Sequence, residues 1–315
     1  MSYGSDEAIL RFLVESQPDI VGMSCYLWNV ERSLFLARKI KQYLPSCKIV
    51  LGGPEINPDN EFLLQHKDFD AGIVGEGEET WRALLQSLPE VTRIPGVLLK
   101  GKNGKWCFGE KRLPPSTLEH RRSPFLSGKL DGHLKNVLWV ETVRGCVYRC
   151  AYCYYHKQSV GLRAFSLERI LTEMRRARDK SFEEVVFLDP CFIRHPHLDV
   201  LLKEMENINH DRFTKFHAEG NAEAIDPWMA ERMGRAGFTR MEVGLQSIKR
   251  NTLRRIRRGF EGEAFRKGVD LLRSNGIEVM VDLIAGLPGD GFSDICRSID
   301  WVLDHEASDL LMVYP

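Results

Sequence analysis

The sequence predicts an α/β protein in two parts, an incomplete Rossmann-like open parallel sheet followed by a partial (β/α)6 barrel of the TIM type. Three observations predict it. Short apolar runs alternate with amphipathic helical segments along most of the chain, and strands separated by helices build parallel sheets. The alternation is broken at 111–136 by a stretch rich in Pro, Ser, Gly and charge, a composition that suits a linker. After it the rhythm lengthens and repeats six times, as a barrel wall does.

In the first part, DIVGMSCYL (19–27) reads as a buried strand. Asn29 is placed to cap a helix to about Leu44 whose apolar face includes Val30, Leu34, Phe35 and Ile40. KIVLGG (48–53) is a second strand ending in a glycine turn. A polar helical stretch then leads to AGIVGEGEET (71–80), a third strand running through a glycine turn into a helix at 78–88. Ligands of such sheets sit at the carboxyl ends of the strands, where SCYLWN, GGPE and GEGEE fall; the glycines are equally at home as plain turn residues. VLLKGKNGKWCFGE (97–110) predicts a hairpin around Asn103-Gly104. The expected division is a first domain at 1–110, the linker at 111–136 and a second domain at 137–315.

Beyond the linker, strands are expected at 137–143, 184–188, 213–219, 239–243, 277–283 and 309–313. Helices fill the gaps at 166–179, 197–207, 226–235, 261–274 and 291–305. A barrel of this kind carries its site on the loops that follow the strands. The chain stops at LLMVYP, inside or just after the sixth strand, so it reads as a fragment of a longer protein.

With 315 residues the chain can bury a full core without disulfides. Lys plus Arg and Asp plus Glu both number 44, so nothing global points to nucleic acid. There is no run of about 18 apolar residues to span a membrane, and MSYGSDEAILRF is too polar for a signal peptide; a soluble cytoplasmic protein is expected. The eight cysteines are thinly spread apart from one cluster, which suits a reducing compartment and a metal site.

That cluster is RGCVYRCAYCYYH (144–156), with Cys146, Cys150, Cys153 and His156. Spacing alone admits two readings. All four residues could close a structural zinc site, although a loop growing from a barrel strand has no need of such a pin. Alternatively, the three thiolates could hold three irons of a [4Fe-4S] cube and leave the fourth iron open to a ligand. Cys25, Cys47, Cys107 and Cys296 read as packing residues, as does Cys191 despite facing the same mouth. His133, His195 and His197 read as structural or surface residues. Tyr154 and Tyr155 read as packing for the cysteine loop.

The Cys-x-x-x-Cys-x-x-Cys pattern with Tyr152 before the last cysteine resembles the radical S-adenosylmethionine (SAM) superfamily. FLDPCF (187–192), HAEGNAEAID (217–226) and EVGLQS (242–247) resemble its second, third and fourth strand motifs. NTLRRIRR (251–258) and VDLIAGLPGD (281–290) are similar to the segments that follow in the coproporphyrinogen-oxidase-like and cobalamin-dependent branches. The resemblance implies that Cys146, Cys150 and Cys153 ligate the cluster, that SAM chelates the open iron and that the backbone at Tyr152 lies against adenine. It places Asp189 at the methionine amino group, although this chain has Leu-Asp-Pro where Gly-Gly-Glu is frequent. Glu219, Gln246 and Asp282 match positions that reach the amino group or ribose hydroxyls, and Arg258 one that pairs with the carboxylate. Carboxylates and amides accept from such donors, and an arginine fork suits a carboxylate. Each residue also has a plainer reading as a helix cap or, for Arg258, as part of a solvated basic face.

PDIVGMSCYLWN, KIVLGGPE and the strand leading to GEGEET resemble the cobalamin-binding domain that precedes the barrel in one class of the superfamily. The implied cobalamin contacts are Ser24, Gly52, Gly53, Pro54, Gly75 and Glu76, at the sheet's carboxyl edge. The chain starts at what resembles the third strand of that domain, and no Asp-x-His-x-x-Gly motif offers a lower axial histidine. The implied reaction is reductive cleavage of SAM to a 5'-deoxyadenosyl radical, with methyl transfer, rearrangement or cyclisation as its outcome. The implied partners are a small-molecule or peptide substrate and an electron donor such as flavodoxin or ferredoxin. A zinc-stabilised ligand-binding module and a catalytically dead fragment are the alternatives.

Overall fold

Chain alternation of the predicted kind is what the computed structural model shows, over residues 4–88, 94–101, 104–134, 136–155 and 161–315. The chain forms two units, Met1–Pro114 and Pro115–Pro315.

The first unit runs α1 (Asp6–Ser16), β1 (Ile20–Ser24), α2 (Val30–Tyr43), β2 (Lys48–Gly52), α3 (Glu61–Leu64), β3 (Ala71–Ile73), α4 (Glu78–Ser87), β4 (Val97–Lys100) and β5 (Trp106–Phe108). The sheet order is β1-β2-β3-β4-β5. The first three strands are parallel, and the β4–β5 hairpin extends the sheet antiparallel. Ile49, Val50 and Leu51 are all buried in β2, as expected of a parallel strand covered on both faces. α2 buries Val30, Leu34, Ala37 and Ile40 at helical spacing. Phe35 departs from expectation: it sits a step round the helix from Leu34 and is 44% exposed, with Lys39 Nζ 5.8 Å from its ring centre. Asn29 precedes the helix but does not cap it. Its Oδ1 accepts from Tyr26 N at 2.7 Å and its Nδ2 donates to Ser24 O at 3.0 Å, closing the loop after β1. Gly101 N donates to Lys105 O at 2.7 Å across the hairpin turn; Asn103 lies outside the described residues.

The second unit runs β6 (Val137–Val140), β7 (Val143–Arg144), β8 (Arg163–Ala164), α5 (Leu167–Asp179), β9 (Glu184–Phe187), α6 (Leu198–Ile208), β10 (Lys215–Gly220), α7 (Pro227–Ala236), β11 (Phe238–Gln246), α8 (Arg250–Arg255), α9 (Gly262–Ser274), β12 (Glu278–Ile284), α10 (Phe292–Asp304) and β13 (Leu310–Tyr314). Six strands pair in the order β6-β9-β10-β11-β12-β13, parallel throughout. Among the described residues β6 and β13 do not pair with each other, so the wall is an open barrel. Helix starts follow local chemistry: Ser166 Oγ accepts from Arg169 N at 3.4 Å, and Asp226 Oδ1 accepts from Met229 N at 2.8 Å ahead of Pro227. Phe187, Phe192, Phe216 and Phe238 interlock, with ring centres 4.6 Å apart for Phe187–Phe192 and 5.5 Å for Phe216–Phe238. Burying each such ring contributes roughly 1.5–3 kcal/mol.

Gly268 in α9 is fixed by close approach. A Cβ there would lie 1.9 Å from Ala222 O, so the helix backbone presses on the short turn Ala222–Ala224. That contact positions the loop after β10, which carries Asn221 and Glu223 just beyond Glu219 at the end of the strand.

The expected linker is divided by the structure. Residues 111–114 belong to the first unit, whereas 115–134 belong to the second, with Leu118 at 0% and Phe125 at 5% exposure in its core. Arg163 Nη1 donates to Pro115 O at 2.9 Å, and Glu119 Oε1 accepts from Ser166 N at 3.0 Å. Arg176 Nη2 also pairs with Asp131 Oδ2 at 2.9 Å, so a stretch with the composition of a linker is bound down as an arm.

Candidate functional site

The cysteine loop begins where β6 ends. β7 pairs antiparallel with β8, and Gly145, at φ 99°, turns the chain into Cys146, a conformation that costs glycine little. Cys146 and Cys153 are half-buried, Cys150 is buried, and none forms a disulfide. Cys153 N donates to Cys150 O at 3.1 Å, and Ala151 N donates to Ile256 O at 2.8 Å, which ties the loop to the end of α8. Burial pushes the Cys146 thiol up; Cys150 and Cys153 push the same way, and Arg258 opposes them. The three thiols therefore share one electrostatic environment. No three His, Cys, Asp or Glu side chains among the described residues converge as a single ion requires. Three thiolates on one loop are the soft donor set that iron-sulfur clusters take. The donor set fits the cube. His156 lies outside the described residues, and Tyr152 is 39% exposed.

Asp189, just past β9, is fully buried and spent on the protein itself. Its Oδ1 accepts from Thr142 N at 2.7 Å and Val143 N at 3.0 Å, and its Oδ2 accepts from Thr142 Oγ1. Burial raises its pKa to about 6 against the pull of these donors. The carboxylate thus pins the bend between β6 and β7, a few residues before Cys146.

The remaining candidates gather on adjacent strands. Glu219 of β10 lies opposite Glu242 of β11, and Gly244 lies opposite Asp282 of β12. Residues two apart share a face of a strand, so Glu242 and Gly244 point the same way. Gln246 has φ 69°, at a shift of register with β12; strain of this kind in a non-glycine residue concentrates at functional sites. A Cβ at Gly244 would lie 2.2 Å from Gln246 Nε2, so only glycine lets that side chain fold back over the strand. Arg258 Nη2 donates to Gly244 O. Its charge reaches both Cys146 and Asp282, which places it between the cysteine loop and the carboxylates. A cleft of about 240 Å³ beside it is lined by Tyr148, Cys150, Asn221, Glu223, Arg258 and Phe260 among others. Among the described residues, Gln246 Oε1, Asp282 Oδ1 and Glu223 Oε2 are buried acceptors without a hydrogen-bond partner. Such atoms are costly unless a ligand supplies donors, and an ammonium and ribose hydroxyls would do so. The residues therefore fit SAM.

Burial, the Glu242 charge and then the Asp189 charge raise Glu219 to about 7. Burial, then the hydrogen bond and charge of Glu242, raise Asp282 to about 8. The folded protein thus keeps protons that the unfolded chain has already released, and stability falls as pH rises through these values. The melting temperature of the ligand-free protein is expected to drop by several degrees between about pH 7 and about pH 8.5. Differential scanning calorimetry checks this, and Asp282→Asn should flatten the decline. A melting temperature that stays level over the same interval would mean these carboxylates are already ionised.

In the first unit, Ser24, Gly52, Gly53, Pro54, Gly75 and Glu76 all fall at the carboxyl edge of β1, β2 and β3. Gly53, at φ 96°, would place a Cβ 2.7 Å from Cys25 O, so the loops after β1 and β2 are pressed together. Gly52 and Gly75 front open space, with nothing within 4 Å of a Cβ. Tyr26 and Trp28 stack at 4.6 Å and are 37% and 79% exposed, an apolar shelf beside the glycines. A low edge beside a flat aromatic pair suits a broad, flat ligand such as a corrin ring.

Sequence reasoning missed Glu242, although it stands two residues before Gly244 on the same face, and a period-two reading of EVGLQS would have found it. It also missed Thr142, for which no local signal exists.

A parallel barrel wall with three cysteines on its first loop, an arginine and a ring of carboxylates defines a class of enzyme that couples an iron-sulfur cluster to a small charged cofactor. Residues 140–302 match the radical SAM superfamily, and residues 3–85 match the B12 binding domain. The chain belongs to the radical SAM superfamily. It is 33% identical over 199 residues to the 2-(S-pantetheinyl)-carbapenam-3-carboxylate methyltransferase of Streptantibioticus cattleyicolor, covering 56% of this chain and 28% of that protein. It is 28% identical over 296 residues to the hopanoid C-3 methylase of Methylococcus capsulatus, covering 88% of this chain and 55% of that one. The radical SAM methyltransferase TsrM from Kitasatospora setae, solved with cobalamin and a [4Fe-4S] cluster bound, superposes with a TM-score of 0.74 at 17% identity, over 98% of this chain and 64% of TsrM. The chain thus spans between about a quarter and two thirds of the length of these proteins. No helix among the described residues is long and apolar enough to cross a membrane.

Proposed function

We propose that this chain is the catalytic core of a cobalamin-dependent radical SAM methyltransferase acting on a small molecule or peptide. The observation that carries the reading is the placement of Arg258, Glu219 and the buried acceptors of Gln246 and Asp282, which have no hydrogen-bond partner among the described residues, beside a loop of three cysteines. When bound, the cluster supplies the electron that cleaves SAM reductively, and cobalamin supplies the centre that carries a methyl group.

The protein's own residues bind and orient. Cys146, Cys150 and Cys153 hold the cluster as thiolates. Arg258, fixed by the Gly244 carbonyl, offers its fork to the methionine carboxylate. Gln246, Asp282 and Glu219 accept from the ammonium and the ribose hydroxyls, Glu242 keeps Asp282 in place, and the backbone at Tyr152 lies along the adenine. Holding cofactor and electron source side by side is catalysis by positioning. Asp189 is a positioning residue for the loop. Ser24, Gly52, Gly53, Pro54, Gly75 and Glu76 form the cobalamin edge. A low-potential flavodoxin or ferredoxin is the electron donor.

The test is anaerobic reconstitution with iron and sulfide, with hydroxocobalamin present, followed by metal analysis and assay for 5'-deoxyadenosine. A coloured protein that retains iron and cobalt and forms 5'-deoxyadenosine is expected. A colourless zinc protein that leaves SAM intact would overturn the reading.

A further inference from the structure

Residues 249–258 read KRNTLRRIRR, six cations with no acidic residue among them, in a chain whose charges otherwise balance at 44 against 44. A charge run is ordinarily a solvated face matched by its neighbours. Here only the two ends are matched: Lys249 Nζ pairs with Asp294 Oδ2 at 2.7 Å, and Arg258 turns inward to Gly244. Arg250, Arg254, Arg255 and Arg257 are exposed and form no ion pair among the described residues. Arg149, also exposed, adds a fifth cation next to Cys150. Against them, Glu261 is the exposed acidic residue on the rim of the nearby cleft.

This face is joined to the cysteine loop. The bond from Ala151 N to Ile256 O at 2.8 Å sets Arg255 and Arg257 on either side of the backbone that supports the segment between Cys150 and Cys153. Arg257 and Cys150 line the same cleft. The surface nearest the thiols is therefore strongly positive, and it belongs to the unit that carries them.

We infer that the arginine face of α8 with Arg149 is the docking surface for an acidic one-electron carrier protein of the flavodoxin or ferredoxin type. The inference rests on the function proposed above, because a cluster on this loop takes its electron from outside the chain. In the encounter the reduced carrier loses one electron and the cluster gains it; no bond forms or breaks. Positive charge concentrated at the entry point steers an acidic partner and accelerates association. The segment has no aromatic residue on which bases could stack, and the chain has no overall positive excess for a phosphate backbone, so an acidic protein fits better than a nucleic acid.

The test compares the full chain with an Arg250→Glu, Arg254→Glu, Arg255→Glu variant and with its Arg→Gln counterpart. Cluster reduction is followed in stopped flow with either a reduced acidic flavodoxin or dithionite. Binding of oxidised flavodoxin to cluster-free protein is measured at low and high salt. With flavodoxin at low salt, the Glu variant is expected to be reduced at least about ten-fold more slowly, with the Gln variant between it and the unaltered chain. The salt dependence should flatten, while dithionite rates and iron content stay the same. Unchanged flavodoxin rates and binding would overturn the inference, as would transfer RNA binding to this face and excluding flavodoxin. Failure of the unaltered chain to form a cluster would instead overturn the proposed function, and flavodoxin binding to the cluster-free chain would still decide the docking surface.

Discussion

Replacing Cys146, Cys150 and Cys153 together by alanine is expected to remove iron from the reconstituted protein and reduce 5'-deoxyadenosine formation to background, with far-ultraviolet circular dichroism unchanged. The loop is anchored from outside the thiols, by the Ala151–Ile256 bond and by Asp189 at its base, so the fold does not depend on the sulfurs. Single replacements should each have nearly the full effect, because a cube held by two thiolates has two open irons and is readily lost. Cys191 supplies the contrast. It is 5% exposed within the core and its thiol is pushed up to about 12, first by burial and then by Cys146. It behaves as a packing residue, and Cys191→Ala should retain iron. Iron that persists in the triple variant would show the thiols are not its ligands.

The barrel wall was legible because its strands are short apolar runs and its helices amphipathic segments between them. The helices expected from Ser166 and Asp226 do begin there, each capped by that side chain, and the six strands fall within a few residues of their predicted places. Elements that depend on distant partners were not legible. α1 has a Ser5 cap at 3.2 Å from Ala8 N, yet none of its residues is buried, and in the sequence it stood out only as too polar for a signal peptide. Leu118 and Phe125 were two apolar residues in a polar stretch, and only the core they enter distinguishes an arm from a linker. The site divides the same way. Cysteine spacing is local, so the loop was legible, whereas the proximity of Glu219, Glu242 and Asp282 depends on strand register. The unusual backbone of Gln246 depends on Gly244 and on the shift against β12, neither of which spacing reveals.

Asp189 is where sequence and structure diverge most, and two substitutions separate the readings. The sequence places its carboxylate at the amino group of SAM; the structure places it on Thr142 and Val143, 47 and 46 residues away. Asp189→Ala would leave two buried backbone N–H groups without an acceptor, each costing roughly 1–3 kcal/mol. In a domain of this size that should lower the melting temperature by roughly 10 °C and loosen the approach to Cys146, so that iron retention falls as well. Asp189→Asn is nearly the same shape. Its Oδ1 can accept from both N–H groups, and its Nδ2 can donate to the Thr142 hydroxyl, which rotates to accept. A positioning residue therefore tolerates asparagine: melting temperature, iron content and SAM affinity should all stay close to those of the unaltered protein. A residue that binds the ammonium does not, because loss of the negative charge weakens a charge-assisted bond. Isothermal titration of SAM into the reconstituted Asn variant distinguishes them, and an affinity lowered ten-fold or more with normal melting would return Asp189 to the ligand.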